Sequence, residues 1–127
     1  MNPIVYRDGV CDPHIHIFQN KAYCYATKDN PGQTQGFQMT EWQIWSSEDL
    51  VHWVRERRIF PADFYCGPID QCWAVDAHEK NGKYYWYFSV GSNEVGVGIG
   101  DHPAGPFTDA LHHALADAKT HPENIAK

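Results

Sequence analysis

Several features that would place this chain in a common functional class are missing from its sequence. No uninterrupted apolar run approaches the roughly 20 residues that a membrane-crossing helix needs. The four cysteines contain no C-x-x-C pair, which argues against a zinc ribbon or a redox motif. The net charge of −6 has both signs interspersed. The sequence therefore offers no basic stripe for nucleic acid and no polybasic patch for a membrane surface.

The N-terminus also lacks a recognisable targeting signal. Residues 1–4 (MNPI) show no charged region followed by an apolar stretch. As written, the sequence predicts a cytoplasmic protein, or a secreted or periplasmic one if a leader has been removed. Cys24 alternates with Tyr23 and Tyr25 in a strand-like pattern, which indicates a small buried side chain and agrees with a reducing compartment.

Aromatic residues are abundant: five Trp, seven Tyr and six Phe make up 14% of the chain. With 43% hydrophobic and 20% charged residues, the composition is that of a folded domain. Aromatic and β-branched side chains favour strands. Flat aromatic faces also pack well against the C–H groups of sugar rings, so a carbohydrate ligand is compatible with this composition.

Two similar segments predict two hairpins. Residues 21–27 (KAYCYAT) follow a polar Gln-Asn pair, and residues 83–89 (KYYWYFS) follow an Asn-Gly pair. Asn-Gly before such a run is a strong hairpin signal, because a type I′ turn needs positive φ at both central positions. Each hairpin is preceded by an aspartate, Asp12 in the first copy and Asp76 in the second, so an aspartate is expected at the start of each innermost strand.

A third strand and a closing aromatic segment complete each unit. Residues 42–47 lead to Trp53, and residues 95–100 lead to Phe107. A four-stranded unit of about fifty residues is typical of a β-propeller blade. The predicted fold is therefore all-β, with two four-stranded antiparallel blades. The expected boundaries are blade one at about 10–58, blade two at about 59–115, and a polar tail at 116–127. Two blades cannot close a propeller, so we expect their exposed faces to self-associate.

Five segments occur in a characteristic order: Asp12-Pro13, residues 47–53 (SEDLVHW), residues 73–76 (WAVD), residues 81–89 (NGKYYWYFS) and residues 104–107 (AGPF). Together they resemble glycoside hydrolase family 43, which includes arabinanases, β-xylosidases and α-arabinofuranosidases. The resemblance covers the chain up to about residue 109 and indicates the N-terminal portion of a five-bladed propeller.

The resemblance implies a role for each aspartate. Asp12 corresponds to the general base that activates water, and Asp76 to the carboxylate that tunes the pKa of the acid and orients it. The general acid of the family is a glutamate on a third blade, and no glutamate of this chain occupies that place. Glu79, Glu94 and Glu123 lie elsewhere in the pattern. The family usually has proline where this chain has Val75.

The implied substrate is an oligosaccharide derived from a plant polysaccharide of the arabinan or xylan type, hydrolysed with inversion. The residues we expect to contact it are Trp73, Trp42 and His14. No cofactor is required, and a calcium ion occupies the central channel in many members of the family. The resemblance assigns no metal ligand to this chain, and nothing in the sequence indicates a nucleic-acid partner or a membrane partner.

Two other interpretations remain open. Asp12-Pro13-His14-Ile15-His16 also resembles the first-strand motif of metal-dependent amidohydrolases, since His at i and i+2 project from one face of a strand. Those enzymes need a (β/α)₈ barrel of about 250 residues. The second alternative is a propeller fragment that binds carbohydrate without cleaving it.

Overall fold

The chain folds into two four-stranded antiparallel sheets, which confirms the prediction of an all-β protein with two blades. The computed structural model describes residues 9–30 and 36–124. The strand order is β1-β2-β3-β4 in the first blade and β5-β6-β7-β8 in the second. The strands are β1 (Gly9–Phe18), β2 (Lys21–Asp29), β3 (Trp42–Ser47), β4 (Val54–Ile59), β5 (Cys72–Lys80), β6 (Lys83–Val90), β7 (Glu94–Gly100) and β8 (Thr108–Asp109).

Tight turns set the register of both first hairpins. Gln19 and Asn20 have φ of 53° and 60°, and Asn81 and Gly82 have φ of 55° and 74°. Positive φ at both central positions matches the right-handed twist of the flanking strands. The turns pair Phe18 with Lys21 and Lys80 with Lys83, so the two hairpins can be superimposed residue for residue from their turns.

The core lies between the two sheets and is mostly aromatic. Trp42 of β3 meets Trp86 and Phe88 of β6, with ring centroids 5.1 Å and 5.2 Å apart. The glycines of β7 provide the space for these rings. A Cβ added to Gly96 would stand 2.2 Å from the Phe88 ring, so the small residues of this strand are required by packing.

The chain after β8 continues along the edge of blade two further than expected. β8 has only two residues, but the chain stays beside β7: the Ala110 N–H donates to the Val97 carbonyl at 3.1 Å, and Ala116 bridges to Val95. Ala116 therefore pairs with the sheet, although the sequence placed it in the polar tail. The tail continues as a turn and a 3₁₀ helix at Pro122–Asn124.

Candidate active site

Each innermost strand contains a β-bulge, and the bulges place the candidate site residues. Pairing between β1 and β2 is interrupted between Cys11 and His14, and Asp12 lies in that interruption with φ of 49°. Aspartate is among the few residues that tolerate this left-handed region. The corresponding interruption of β5 lies between Cys72 and Val75 and contains Trp73. Bulges redirect side chains and are frequent beside active sites.

Asp12 and Trp73 line the same cavity of about 420 Å³, at the junction of the two blades. The Trp73 indole N–H donates to the carbonyl of Phe37 at 2.7 Å, which fixes one wall. Phe37 itself is 75% exposed. Cys11 lies beside Asp12, and burial, followed by the negative charge of Asp12, raises the pKa of its thiol. The cavity thus combines an exposed carboxylate with aromatic surface, which suits a sugar and a water molecule.

Asp76 is held by two histidines from the other blade. His16 Nε2 lies 2.6 Å from Asp76 Oδ1, and His14 Nδ1 lies 3.4 Å from Asp76 Oδ2. The Ala77 N–H also donates to Oδ1, at 2.8 Å. Partial burial raises the pKa of Asp76, but the hydrogen bonds from His16 and Ala77 and the two nearby imidazoles outweigh it, and the net pKa is lowered. Asp76 is therefore an ionised carboxylate at neutral pH.

The two aspartates do not occupy equivalent positions in the two blades, and neither starts its strand. Counted back from the hairpin turns, Asp76 corresponds to His14, because these residues pair with Tyr87 and Tyr25. Asp12 stands two residues earlier, level with Ala74. The expectation of one aspartate heading each unit is therefore corrected. The blades contribute different positions to the site.

Trp42 is fully buried in this fold, which argues against its expected role in substrate contact. Its side chain has no exposed surface. Its indole N–H donates to the Trp73 carbonyl at 2.7 Å, and its ring belongs to the core between the blades. Trp73 is only half-buried and lines the cavity, and the His14 side chain is 50% exposed. These two remain accessible to a substrate.

The sequence did not identify His16 as the partner of Asp76. Alternation placed His14 and His16 on one face of a strand, and both do point to the same carboxylate. The partner lies sixty residues away on another blade. The alternation of residues within one strand carries no information on a contact between side chains of two different blades.

The glutamates that follow Asp76 in the sequence have other partners or lie in the C-terminal tail. Glu79 Oε1 accepts the Gly82 N–H at 2.7 Å inside the hairpin turn. Glu94 Oε2 accepts the hydroxyl of Tyr65 at 3.1 Å. Neither has a hydrogen bond or ion pair with Asp12 or Asp76. Glu123 lies in the C-terminal 3₁₀ helix.

The fold also contradicts the amidohydrolase alternative. Two antiparallel sheets take the place of alternating parallel strands and helices, and the helical elements of residues 9–30 and 36–124 are 3₁₀ helices of three residues. Within those ranges no group of three or more His, Cys, Asp or Glu side chains could hold a metal ion. The described residues also include no helix that is long and apolar enough to cross a membrane.

Glycoside hydrolases use a pair of carboxyl groups, and this chain places two aspartates where its two blades meet, one of them in an aromatic-walled cavity. Comparison with known proteins identifies the family: the model of glycosyl hydrolases family 43 matches residues 1–123. Since this match extends over nearly the whole chain, the chain belongs to glycosyl hydrolase family 43.

Individual relatives agree with this assignment. A xylosidase/arabinosidase 43A from Humicola insolens is 30% identical over 125 residues, covering 85% of this chain and 37% of that protein. A xylosidase/arabinosidase from Bacteroides ovatus is 28% identical, covering 82% and 36%. A family 43 β-xylosidase/α-arabinofuranosidase from a compost metagenome, solved with xylotriose in a calcium-free form, superimposes with a TM-score of 0.75 at 30% identity, covering 86% and 36%. The chain thus spans little more than a third of these relatives.

Proposed function

We propose that this chain supplies two of the three carboxylates of an inverting glycosidase that acts on xylose- or arabinose-containing glycosides. The observation that carries the proposal is the placement of Asp12. It lies on a bulge of the innermost strand and lines an aromatic-walled cavity with Trp73. The pentose specificity is supported by the relatives, which are xylosidase/arabinosidase enzymes.

The chemistry assigns different tasks to the two aspartates. Inversion needs a base that takes a proton from water and an acid that protonates the leaving oxygen, with their carboxyl groups about 6.5–9.5 Å apart. Asp12, which is exposed in the cavity, serves as the base. Asp76 is a poor candidate for the acid because its pKa is lowered. Its fixed negative charge instead suits the task of raising the pKa of a neighbouring acid.

The remaining carboxyl, the proton donor, comes from a further blade of the complete protein under this proposal. Trp73 and Phe37 line the cavity and provide flat surfaces for the sugar, and the half-exposed His14, beside Asp76, provides a polar group for substrate contact. No step in this scheme uses a metal.

The test uses a completed propeller, in which this chain is joined to the remaining blades of a family 43 relative. Asp12→Asn should reduce kcat on an aryl xyloside or arabinofuranoside by at least about 10²–10⁴-fold, because an amide cannot accept the proton of water. Binding of xylotriose should persist, since the substitution is nearly isosteric. Asp63→Asn, at an exposed 3₁₀ helix, is the matched control and should leave kcat unchanged. Turnover of Asp12→Asn within a few-fold of wild type would show that another group is the base.

A binding module without catalysis is the second candidate function. The observation in its favour is that no third carboxylate has a hydrogen bond or ion pair with Asp76 in the described ranges. Calorimetry of the 127-residue chain with xylotriose, compared with Trp73→Ala, measures binding. Hydrolysis by the completed propeller then decides between the two functions: binding without turnover supports the module, and turnover that depends on Asp12 supports the enzyme.

A further inference from the structure

The imidazole ring of His16 packs among aromatic side chains that hold its orientation toward Asp76. Its ring stacks on Phe18 with centroids 5.6 Å apart and an interplanar angle of 24°, and it lies beside Tyr25 at 6.3 Å. Phe18 in turn meets Tyr84 of the second blade edge to face at 5.3 Å. The Tyr25 hydroxyl is fixed by a hydrogen bond to the Pro103 carbonyl at 2.6 Å. The imidazole therefore lies in an aromatic setting that leaves it little rotational freedom.

The contact with Asp76 is directional. Oδ1 receives His16 Nε2 at 2.6 Å and the Ala77 N–H at 2.8 Å, while Oδ2 has only the longer contact of 3.4 Å with His14. A carboxylate accepts and does not donate, so His16 carries a proton on Nε2. Two donors on one oxygen fix the plane of the carboxylate. Oδ2 is left with this single longer contact on a side chain that is 49% exposed, so it is the oxygen open to a further partner.

We propose that His16 is a positioning residue for Asp76, which it orients and keeps ionised across the junction of the two blades. This inference rests on the role of Asp76 in the proposed function. The titratable groups that face the pair are His14 on β1 and Tyr25 on β2, and Tyr23 on β2 and Tyr84 on β6 meet Phe18, on which the His16 ring stacks.

Three variants separate the hydrogen bond from packing. His16→Phe keeps a ring that can stack on Phe18 but removes the donor. His16→Gln restores an N–H at similar reach. His78→Phe is the control. It changes the position of blade two that is equivalent to His16 and pairs with Tyr85. His78 is not among the hydrogen-bond or ion-pair partners of Asp76.

The first measurement is a carboxyl-detected NMR titration of Asp76 in the 127-residue chain, with amide spectra confirming that each variant is folded. The proposal predicts that His16→Phe raises the pKa of Asp76 towards its ordinary value, while His16→Gln keeps it lowered and His78→Phe leaves it unchanged. An unchanged Asp76 titration in folded His16→Phe would overturn the proposal.

The second measurement is kinetic and uses the completed propeller. His16→Phe should lower kcat by about 10- to 100-fold, the typical effect of losing a hydrogen bond to a charged group, with KM within about twofold. The acidic limb of its rate profile should move to higher pH, and His16→Gln should recover most of both changes. Wild-type rates and profile in His16→Phe would overturn the proposal. If the wild-type completed propeller is inactive, the proposed function fails, and the NMR titration alone decides whether His16 holds Asp76.

Discussion

Trp42→Ala tests whether this tryptophan is core or substrate contact. The side chain is fully buried, and truncating a buried Trp costs about 3–5 kcal/mol. The substitution also removes the hydrogen bond from the indole N–H to the Trp73 carbonyl. This bond contributes about 1 kcal/mol of that cost. Domains of this size are stable by only about 5–15 kcal/mol in total. We therefore expect a loss of about 4 kcal/mol, a large part of the free energy of unfolding.

The assay is urea unfolding followed by far-UV circular dichroism. With an m-value of about 2 kcal/mol/M, a loss of about 4 kcal/mol lowers the midpoint by about 2 M. Trp73→Ala is the comparison, because Trp73 is half-buried at the cavity wall. It should lower the midpoint much less while weakening the binding of xylotriose. A Trp42→Ala protein with a nearly unchanged midpoint and weakened sugar binding would refute the placement of Trp42 in the core.

Three further outcomes are expected. In the completed propeller, Asp76→Asn should shift the basic limb of the rate profile to lower pH, since removing the charge lowers the pKa of the acid; an unmoved limb would count against the assigned role. Tyr85, Tyr87 and Ile99 are part-exposed on the face of blade two opposite the core, so light scattering should show that the isolated chain self-associates, and a stable monomer would contradict this. The pKa of Asp49 is lowered by His52 and by backbone N–H donors. A carboxylate with a lowered folded pKa stabilises the fold at neutral pH, and this contribution is lost as the pH falls below about 4. The melting temperature of Asp49→Asn should therefore depend less on pH in that range than that of the wild type.

The hairpins could be predicted because their determinants are local. Asn81 and Gly82 adopt the positive φ that the turn needs, and the alternation of residues 83–89 gives one buried face. The repeat of four strands followed from the same signals. The order of motifs was enough to place Asp12 and Asp76 on innermost strands, although not at their starts.

The role of Trp42 could not be read from its own strand. Every residue of β3 is buried, so alternation does not distinguish a face that packs against the next blade from a face that lines a cavity. The contact between His16 and Asp76 was missed for a different reason. It depends on how the two blades are rotated against each other and on bulges that each shift the strand register by one residue, and neither is encoded in local spacing.

The most direct test of the central claim is the anomer that the completed propeller releases first from an aryl β-xyloside, followed by proton NMR during the first turnovers. If Asp12 activates water for a direct displacement, α-xylose appears first and mutarotates later, and Asp12→Asn releases neither anomer at a comparable rate. Initial release of β-xylose, or α-xylose produced at the wild-type rate by Asp12→Asn, would contradict the assignment of Asp12 as the general base of an inverting glycosidase.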